Sequence, residues 1–388
     1  LGRLEAIPEL VERADLKFPA FRPRIPERLR HSENIFSTIA EGDILLHHPY
    51  ESFVPFIEML HQAANDPQVV SIRQTLYRTG AGSGVADALL KAAHAGKDVL
   101  VVIELRARFD EAANIELANA LQAAGAQVVY GVVGHKTHAK MCMIIRREGR
   151  RLVRYVHLGT GNYHERTARA YTDYGLLSSD QELGQDVQKI FQQIAALGKA
   201  GKLKAILQSP FTLHSGVLEL IEIQRQKALQ GQPALIQAKM NALTEPSVIR
   251  ALYGASQAGV HIDLIIRGIC CLRPGVKGVS ENIRVRSIVG RFLEHMRVYC
   301  FGVDEEREVF LSSADWMDRN LFRRVEACFP VRDPVLAKRV YREAMTNYLN
   351  DNTQAWELTS DGSYRKLKGR GKPHTAQRAL LMDLTEHA

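Results

Sequence analysis

The sequence predicts an α/β protein made of two repeated units, each a mixed, largely parallel β-sheet flanked by helices. Three observations support this prediction. Apolar runs of strand length alternate with helix-length amphipathic segments. The same order of segments recurs in the second half of the chain, and 388 residues with 46% hydrophobic content can bury two cores of ordinary domain size. We expect a pseudo-two-fold axis to relate the two units.

The first unit follows a connector interrupted by prolines, FPAFRPRIPERL at 18–29, which a regular helix or strand could not include. Strands and helices then alternate, as is typical of βαβ units and a parallel sheet. In chain order they are the strand VVSIRQTLYR, the helix VADALLKAAHAG with its glycine stop, the strand VLVVIEL, the helix ANIELANALQAAG and the strand QVVYGVV.

The second unit repeats this order. ALIQAKMNALTEP resembles the first strand and its exit, PSVIRALYGASQAG is the helix that ends at a glycine, and VHIDLIIRGICCL is the next strand. FLEHMRVYCF then takes the place of KTHAKMCMII, and FLSSADWMDRNLFRRVEACF takes that of HLGTGNYHERTARAYTDYGL. This repetition indicates an ancient duplication. We place the domains at 26–205 and 206–388, with 1–25 as the remnant of an upstream domain and its linker.

The composition restricts the class of protein and partner. A formal net charge of +8 favours an anionic partner such as a phosphate chain, nucleic acid or an acidic membrane face. The five cysteines lie in apolar segments without the spacing of a zinc site or a disulfide framework, which fits a reducing cytosolic compartment. No apolar run approaches the ~18 residues of a membrane span, and no signal-peptide pattern opens the chain. Because the chain begins in mid-pattern without an initiator methionine, we expect further sequence upstream.

Two histidines occupy equivalent positions, His138 in KTHAKM and His295 in LEHMRV. The H-x-K/R motif alone is uninformative, because a chain of this composition contains about two copies by chance. Their position distinguishes them, since each begins a strand at the same place in its repeat and is followed by a polar turn. Facing repeats would bring both imidazoles and the cations Lys140 and Arg297 into one pocket. The alternative for His138 is a buried, hydrogen-bonded side chain without a catalytic role.

Such a pocket suits phosphoryl transfer through histidine. A neutral imidazole is a competent nucleophile toward phosphorus, and a second imidazole can handle protons or hold the leaving group. The transferred group carries delocalised negative charge, so the protein must supply mainly positioning and cations. Arg78, Arg108 and Arg267 lie at or just beyond strand ends, where α/β proteins bind ligands. The alternative for any one of them is an arginine that extends into water.

The polar turns after the two histidine strands contain Asn162, in GTGN, and Asp315, in SSAD. Small residues let main-chain N–H groups approach phosphate oxygens, and Asn162 could donate to one or orient a histidine; a plain turn is the alternative. Tyr171 could stack on a purine or pack in the core. Glu165 and Asp173 could fix the imidazoles and their tautomers, but the sequence does not assign the pairs.

At these residues the chain resembles the carboxy-terminal half of the long-chain polyphosphate kinase family (polyphosphate kinase family 1), whose two domains resemble the phospholipase D superfamily. The resemblance runs from about residue 43 to residue 331. By this resemblance His138 is the autophosphorylated nucleophile. The segments that carry it, in order, are DILLHHPYESF, TLYRTG, ELRARFDEAANI, KTHAKM, HLGTGNYHERTARAYTDYGLL and RFLEHMRVYCF.

The resemblance also implies binding residues. His295, Arg267 and Tyr171 contact the nucleotide. Arg78 and Arg108 match the positions that the family assigns to magnesium-associated phosphate binding. Because an arginine stays protonated in proteins, it cannot ligate a cation, so we expect these two to hold the phosphate oxygens that Mg²⁺ also touches.

The implied activity is reversible transfer of the γ-phosphoryl group of ATP to inorganic polyphosphate, with Mg²⁺ as cofactor and ATP or ADP and polyphosphate as partners. The resemblance further implies a cytoplasmic protein that forms a homo-oligomer when full length and has no specific nucleic acid partner. Peripheral association with the inner membrane face stays open. Of the family's amino-terminal and head domains only residues 1–25 are present, so the activity of this chain alone also stays open.

Two other functions fit the same residues. A phospholipase D-like phosphodiesterase or nuclease would use the paired histidines to cleave a diester, and a polyanion-binding fragment would hold phosphate chains without turnover. Arg284, Arg286 and Arg291 in IRVRSIVGR could line a channel for an extended phosphate chain. The basic tail at 364–381 is either a solvated, partly disordered terminus or a guide for a polyanion.

Overall fold

The structure is a computed structural model that describes residues 10–77, 83–104, 111–131, 134–196, 201–367, 369 and 371–386. The strands of its first half are β1 (Arg22–Pro23), β2 (Ile44–His48), β3 (Val69–Leu76), β4 (Asp98–Ile103), β5 (Gln127–Tyr130), β6 (Lys136–Thr137), β7 (Lys140–Glu148), β8 (Arg151–Gly159) and β9 (Tyr171–Ser178). The helices of this half are α1 (Glu27–Arg30), α2 (Ile35–Ala40), α3 (Val54–Asn65), α4 (Gly84–His94), α5 (Glu111–Ala123), α6 (Glu165–Ala168) and α7 (Gln181–Ala196).

The second half has its own strands and helices. The strands are β10 (Leu207–Ser209), β11 (Leu235–Met240), β12 (His261–Ile266), β13 (Ile283–Ile288), β14 (Leu293–Glu294), β15 (Arg297–Phe301), β16 (Glu308–Ser312), β17 (Arg324–Pro330), β18 (Ala355–Leu358), β19 (Tyr364–Lys366) and β20 (Thr385–Glu386). The helices are α8 (Leu213–Leu229), α9 (Pro246–Gln257), α10 (Asp318–Phe322), α11 (Pro334–Tyr341), α12 (Asn347–Leu349) and α13 (Ala376–Leu384), and a π-helical segment covers Arg342–Thr346.

Local sequence signals explain where the repeated helices begin and end. The Ser83 hydroxyl accepts from a main-chain N–H in the first turn of α4 at 3.2 Å, and the Glu245 carboxylate does the same for α9 at 2.7 Å. Such caps satisfy N–H groups that have no partner within the helix. Gly96 and Gly259 follow the two helices with φ of 76° and 99°, a conformation that favours glycine.

The strands form two large sheets with equivalent orders. The first is β14-β9-β8-β7-β3-β4-β5 with β2 also paired to β9, and the second is β10-β17-β16-β15-β11-β12-β13-β18-β19 with β6 also paired to β17. Strands β2–β9 therefore correspond in order to β10–β17. The predicted α/β fold of two mixed-sheet repeats is confirmed. The boundaries 26–205 and 206–388 stay predictions.

The balance of strand directions differs from the prediction of largely parallel sheets. In the first repeat β3 pairs in parallel with β4, as does β4 with β5, whereas the β3–β7, β7–β8, β8–β9 and β2–β9 pairs are antiparallel. For the β7–β8 pair the reason is the connection, a two-residue turn in which Gly149 has φ of 58°. So short a turn can join only antiparallel strands.

Buried apolar side chains form one cluster within each half and a third that both halves share. The shared cluster includes Leu45 and Val156 of the first half, Val298 of the second half, and Leu380 of α13. The expectation of a solvated, partly disordered tail at 364–381 is therefore wrong for α13, and β19 is paired with β18. Within the described ranges, no helix is both long enough and apolar enough to cross a membrane.

Candidate active site

Each half contributes a two-residue strand to the sheet of the other half. β6, just before His138, pairs in parallel with β17, and β14, just before His295, pairs in parallel with β9. The main-chain N–H of His138 then donates to the carbonyl of Val325 in β17 at 2.9 Å. This exchange places each imidazole against the sheet of the opposite half.

The His138 imidazole meets a buried carboxylate there. Its Nδ1 lies 2.9 Å from Oε2 of Glu326, which is fully buried. Ser313 donates its hydroxyl to the same oxygen, and Asn320 donates to Oε1 at 2.7 Å. Because a carboxylate accepts hydrogen bonds, this pairing assigns the ring proton to Nδ1 and leaves Nε2 with a free lone pair.

The pocket also favours the neutral form of His138. Burial lowers its pKa well below the ordinary value of 6.5, and the charges of Lys140, Arg324 and Arg297 lower it further. The side chain nevertheless keeps an opening, since the residue is 8% exposed. A neutral imidazole with an unprotonated Nε2 is the form that can attack phosphorus.

The second imidazole is held in the equivalent way. Nδ1 of His295 lies 2.8 Å and 2.9 Å from the two carboxylate oxygens of Asp173 in β9. The Thr160 hydroxyl donates to this carboxylate at 2.6 Å. Burial lowers the pKa of His295, and Asp173 only partly opposes that shift. A hydroxyl, a carboxylate and an imidazole thus form the same chain of hydrogen bonds on both sides of the site.

A cation lies two residues after each histidine. Nζ of Lys140 donates to the carbonyl of His138, and Nη1 of Arg297 donates to the carbonyl of His295 at 2.8 Å. The guanidinium of Arg297 also forms a buried ion pair with Asp315 at 3.0 Å. Both cations are almost completely buried.

The two cations differ in whether a carboxylate neutralises their charge. Asn162 occupies the position in the first repeat that Asp315 has in the second, and its buried Oδ1 has no hydrogen-bond partner among the residues that the structure describes. Within the ranges that the structure covers, Lys140 forms no ion pair, and burial lowers its pKa to about 7 although Glu326 opposes the shift. The first repeat therefore leaves uncompensated positive charge for an anionic ligand.

The residues of the two repeats lie within electrostatic range of each other. The charges of Arg297 and His295 contribute to the lowered pKa of His138. Arg297 and Asp173 likewise act on the pKa of Lys140. The structure thus brings both predicted histidines and both predicted cations within electrostatic range of one another.

Other predicted site residues lie at the edge of this pocket or outside the described ranges. The ring of Tyr171 is half-buried, with its centroid 5.3 Å from that of His295. Arg267 follows β12 and is exposed as a whole residue, but partial covering of its guanidinium lowers its pKa, and the charge of Arg297 lowers it further. Arg78 and Arg108 lie outside the residues that the structure describes.

Sequence reasoning missed Glu326 and its hydroxyl donor Ser313. One signal could have found Glu326, because it follows Asp315 by the same 11 residues (326 − 315) that separate Asp173 from Asn162 (173 − 162). Arg324, which acts electrostatically on His138, was also missed. Glu165 does not fix an imidazole; its Oε1 accepts from the main-chain N–H of Gly84 at 3.1 Å.

Gly161 in the GTGN turn packs directly against Asp173. A Cβ atom at this position would overlap the carboxylate of Asp173 and lie 2.8 Å from its Cβ. The missing side chain therefore makes room for the carboxylate that holds His295.

The arginines of IRVRSIVGR have partners within the chain. Arg284 pairs with Asp263 at 3.1 Å, and Arg286 donates to the carbonyl of Leu349. The guanidinium of Arg291 lies 4.8 to 5.2 Å from the ring centroids of Phe18, Phe21 and Phe292. These contacts stabilise β13, an inner strand of the second sheet, and the adjoining chain.

Comparisons with known proteins agree over most of the chain. Residues 34–200 match the family profile described as polyphosphate kinase C-terminal domain 1, and residues 206–378 match polyphosphate kinase C-terminal domain 2. The polyphosphate kinase of Xylella fastidiosa is 59% identical over 386 residues, which is 99% of this chain and 55% of that protein. The chain thus spans about half the length of the curated relatives that it matches.

Solved structures give the same result. The polyphosphate kinase of Porphyromonas gingivalis superposes with a TM-score of 0.88 at 35% identity, over 96% of this chain and 57% of that one. Phosphatidylserine synthase of Haemophilus influenzae superposes with a TM-score of 0.53 at 12% identity, over 84% of this chain and 88% of that one. The second likeness concerns the fold alone.

Proposed function

Because the chain belongs to the polyphosphate kinase family, we propose that it is the catalytic part of an ATP:polyphosphate phosphotransferase. It transfers the γ-phosphoryl group of ATP to inorganic polyphosphate, reversibly and through a phosphohistidine. The observation that supports this proposal best is the reciprocal pairing of two histidines, each held by a buried carboxylate of the opposite half beside buried cations.

The reaction begins when Nε2 of neutral His138 attacks the γ-phosphorus. An N–P bond forms as the bond to the β-phosphate oxygen breaks, and ADP leaves with that electron pair. The imidazole becomes positively charged, and Glu326 at Nδ1 stabilises it. The terminal oxygen of polyphosphate then attacks the same phosphorus, the N–P bond breaks, and the imidazole is neutral again. One phosphoanhydride replaces another, so the transfer runs in both directions.

The surrounding residues bind phosphate and nucleotide. Lys140 and Arg297 neutralise the charge that accumulates on the phosphoryl oxygens. Nε2 of His295 lies 3.1 Å from Nη1 of Arg297, so the two groups can hold the same part of the nucleotide. Tyr171 stacks on the base, and Arg267 binds a phosphate from its exposed position at the end of β12. Asn162 donates from its amide to a phosphate oxygen.

In this proposal Mg²⁺ would be bound together with the phosphates of the nucleotide. Among the residues that the structure describes, no group of three or more histidine, cysteine or acidic side chains could hold a metal ion. The carboxylates of Asp173, Asp315 and Glu326 are already paired with histidine or arginine. The donor set therefore fits Mg²⁺ bound by the nucleotide, where it neutralises phosphate charge, with Arg78 and Arg108 holding oxygens of the same phosphates.

The proposal includes the cellular setting. The full-length protein is cytoplasmic, forms a homo-oligomer and takes ATP or ADP and polyphosphate as partners, without a specific nucleic acid. The proposal extends to peripheral association with the inner membrane face, which vesicle sedimentation of the full-length protein tests.

Labelled ATP tests the proposal. After incubation with Mg²⁺ and ATP labelled in the γ-phosphate, the chain should carry an acid-labile label on His138. The label should be absent from His138→Ala and unchanged in His94→Ala, a matched control in which the replaced histidine is exposed on α4. Cleavage of a phosphodiester without ATP and without label would instead support a phospholipase D-like activity.

Polyphosphate provides the second arm of this experiment. If Mg-polyphosphate labels His138 but MgATP does not, nucleotide specificity depends on residues outside this chain. If polyphosphate binds with a steep salt dependence and neither donor labels the chain, this chain is a polyanion-binding fragment. That result would refute the proposed activity.

A further inference from the structure

A residue of the C-terminal helix contacts the segment that leads into His295. Gln377, the second residue of α13, is 2% exposed. Its Oε1 accepts from the main-chain N–H of Phe292 at 2.9 Å, and its Nε2 donates to the carbonyl of Phe292 at 2.9 Å. The same Nε2 donates to Oε1 of Glu294. One side-chain amide therefore pairs with the chain just before the histidine as a neighbouring strand would.

Glu294 connects this amide to His295. Its Oε2 accepts from the Thr172 hydroxyl at 2.9 Å and from Nζ of Lys239 at 2.6 Å. The oxygen of Thr172 accepts in turn from the main-chain N–H of His295 at 3.2 Å. Glu294 and Lys239 are buried, so each lost contact would leave a polar group without water or a partner.

Gln377 is itself held firmly. The main-chain N–H of Ala376 donates to Asp351 at 2.7 Å, and Asn347 donates to the carbonyl of Ala376 at 3.0 Å. These two contacts fix the first turn of α13. The amide of Gln377 is therefore held in a fixed position next to Phe292.

The first histidine is supported differently. The main-chain N–H of Thr137, just before His138, donates to Oε2 of Glu104 at 3.0 Å, and Glu104 belongs to the same repeat. Gln377, by contrast, belongs to a helix that lies beyond the repeated strands β10–β17. Among the described residues, the second histidine therefore has a support from a segment that follows the repeated strands.

We propose that Gln377 is a positioning residue for His295. It keeps β14 in register with β9, so that the imidazole stays against Asp173. A strand of two residues has few ladder hydrogen bonds of its own. The two hydrogen bonds between the Gln377 amide and Phe292 are therefore a large part of the contacts that hold β14 in place. The effect on catalysis rests on the proposed phosphoryl transfer, in which a displacement of about 1 Å can cost roughly 100-fold in rate.

The substitution Gln377→Glu tests the positioning role through pH. It keeps the side-chain shape but places a carboxylate against Glu294. Burial and the like charge raise the pKa of the new carboxyl group, so as the pH falls it becomes neutral and its one O–H can replace one of the two hydrogen bonds that Nε2 donates. At about pH 8 we expect phosphoenzyme formation roughly tenfold or more below wild type, and at about pH 6 a deficit of roughly threefold or less. Arg378→Gln, on the exposed next residue, should match wild type at both pH values.

A constant ratio of variant to wild type across this pH range would overturn the positioning role. Thermal unfolding at each pH separates loss of fold from loss of position. Gln377→Asn, which keeps the amide and shortens its reach by roughly 1.5 Å, provides a second variant if the first does not fold. Its rate should be reduced at every pH, and a rate equal to wild type would also refute the proposal.

Hydrogen exchange tests the contact without any reaction. In Gln377→Met the N–H of Phe292 loses its acceptor, so the peptide that contains 292–295 should exchange roughly tenfold faster than in wild type. Arg378→Gln should leave this exchange unchanged. Unaltered exchange in Gln377→Met would refute the contact. If wild type forms no phosphoenzyme, the proposed function fails, while the exchange result still decides the role of Gln377.

Discussion

Oε2 of Glu326 lies 2.9 Å from Nδ1 of His138, although 188 residues of sequence separate them. The reverse arrangement joins Asp173 of the first half to His295 of the second half at 2.8 Å. The carboxylate that fixes each histidine therefore belongs to the opposite sheet. Neither repeat contains a complete site of its own.

Glu326→Gln should abolish most phosphohistidine formation while preserving shape. Asn320 donates to Oε1 of Glu326, so the amide oxygen of the variant should take that position and turn its NH₂ group toward His138. The imidazole must then accept at Nδ1 and carry its proton on Nε2, where it blocks attack. We expect a loss of about 10³- to 10⁴-fold, by analogy with the wrong tautomer in a serine protease triad. Single-turnover phosphorylation measures it.

The control for this variant is Glu308→Gln, on the exposed first residue of β16. It should phosphorylate at the wild-type rate. If Glu326→Gln stays within about threefold of wild type, the carboxylate does not set the tautomer of His138.

The pH dependence of kcat/KM for ATP should follow the titration of Lys140. Burial lowers its pKa to about 7, so in the free protein it is charged below pH 7 and becomes neutral as the pH rises through that value. The pKa of His138 lies well below 6.5, so the nucleophile stays neutral throughout this range. We therefore expect kcat/KM for ATP to fall as the pH rises above about 7, because kcat/KM reports groups of the free enzyme.

Lys140→Arg provides the matched comparison, since Arg297 occupies the equivalent place in the second repeat. An arginine stays charged, so this variant should lose the decline in kcat/KM above about pH 7. An identical decline in variant and wild type would assign the titration to another group.

Gly161→Ala should displace the carboxylate that holds His295. The added Cβ would overlap Asp173, so its carboxylate would have to leave the hydrogen bonds that it makes with Thr160 and His295. We expect a loss of about 1–3 kcal/mol in the free energy of unfolding and a marked loss of activity. Urea unfolding and single-turnover kinetics measure the two effects.

The control is Gly254→Ala in α9, where a Cβ would meet no atom closer than 3.9 Å. Because alanine favours a helix over glycine, this variant should gain about 0.5–1 kcal/mol and keep its activity. Equal behaviour of the two variants would contradict the packing role of Gly161.

A buried polar network joins the two halves at Glu343. His47 contacts its carboxylate at 2.8 Å, and Arg339 bridges it to Glu51 with contacts of 2.8 Å to each. Burial alone would raise the pKa of Glu343, but His47 and Arg339 outweigh it and lower the pKa to about 2. The ionised carboxylate of Glu343 therefore stabilises the fold fully at pH values above 4.5, the ordinary pKa of a glutamate. This contribution is lost as the pH falls toward 2.

Glu343→Gln should accordingly lower stability by about 3 kcal/mol near pH 7, and the difference from wild type should shrink below about pH 4. The urea midpoint at each pH measures it, with the exposed Glu305→Gln as control. A difference that is the same at every pH would show that Glu343 contributes packing and no charge-dependent stabilisation.

Much of the site was predictable because repetition can be read along the chain. The equivalent positions of His138 and His295, and the cations two residues later, follow from aligning the two halves. The partner of His138 was missed because Glu326 lies in an apolar strand where nothing local marks it; only its spacing from Asp315, which repeats that of Asp173 from Asn162, indicates it. Gln377 was still harder to predict, because its tail appeared basic and solvated while its amide is buried against Phe292.

The sequence by itself determined the two repeats, their alternating strands and helices, and the matching histidines, because periodicity, caps and turn residues act over short stretches of chain. Only the tertiary structure decided that β6 and β14 pair with the opposite sheets and that Glu326 and Asp173 therefore hold the histidines. The physical reason is that such contacts join residues more than a hundred positions apart. They form when both halves bury the core that they share, and no local preference encodes them.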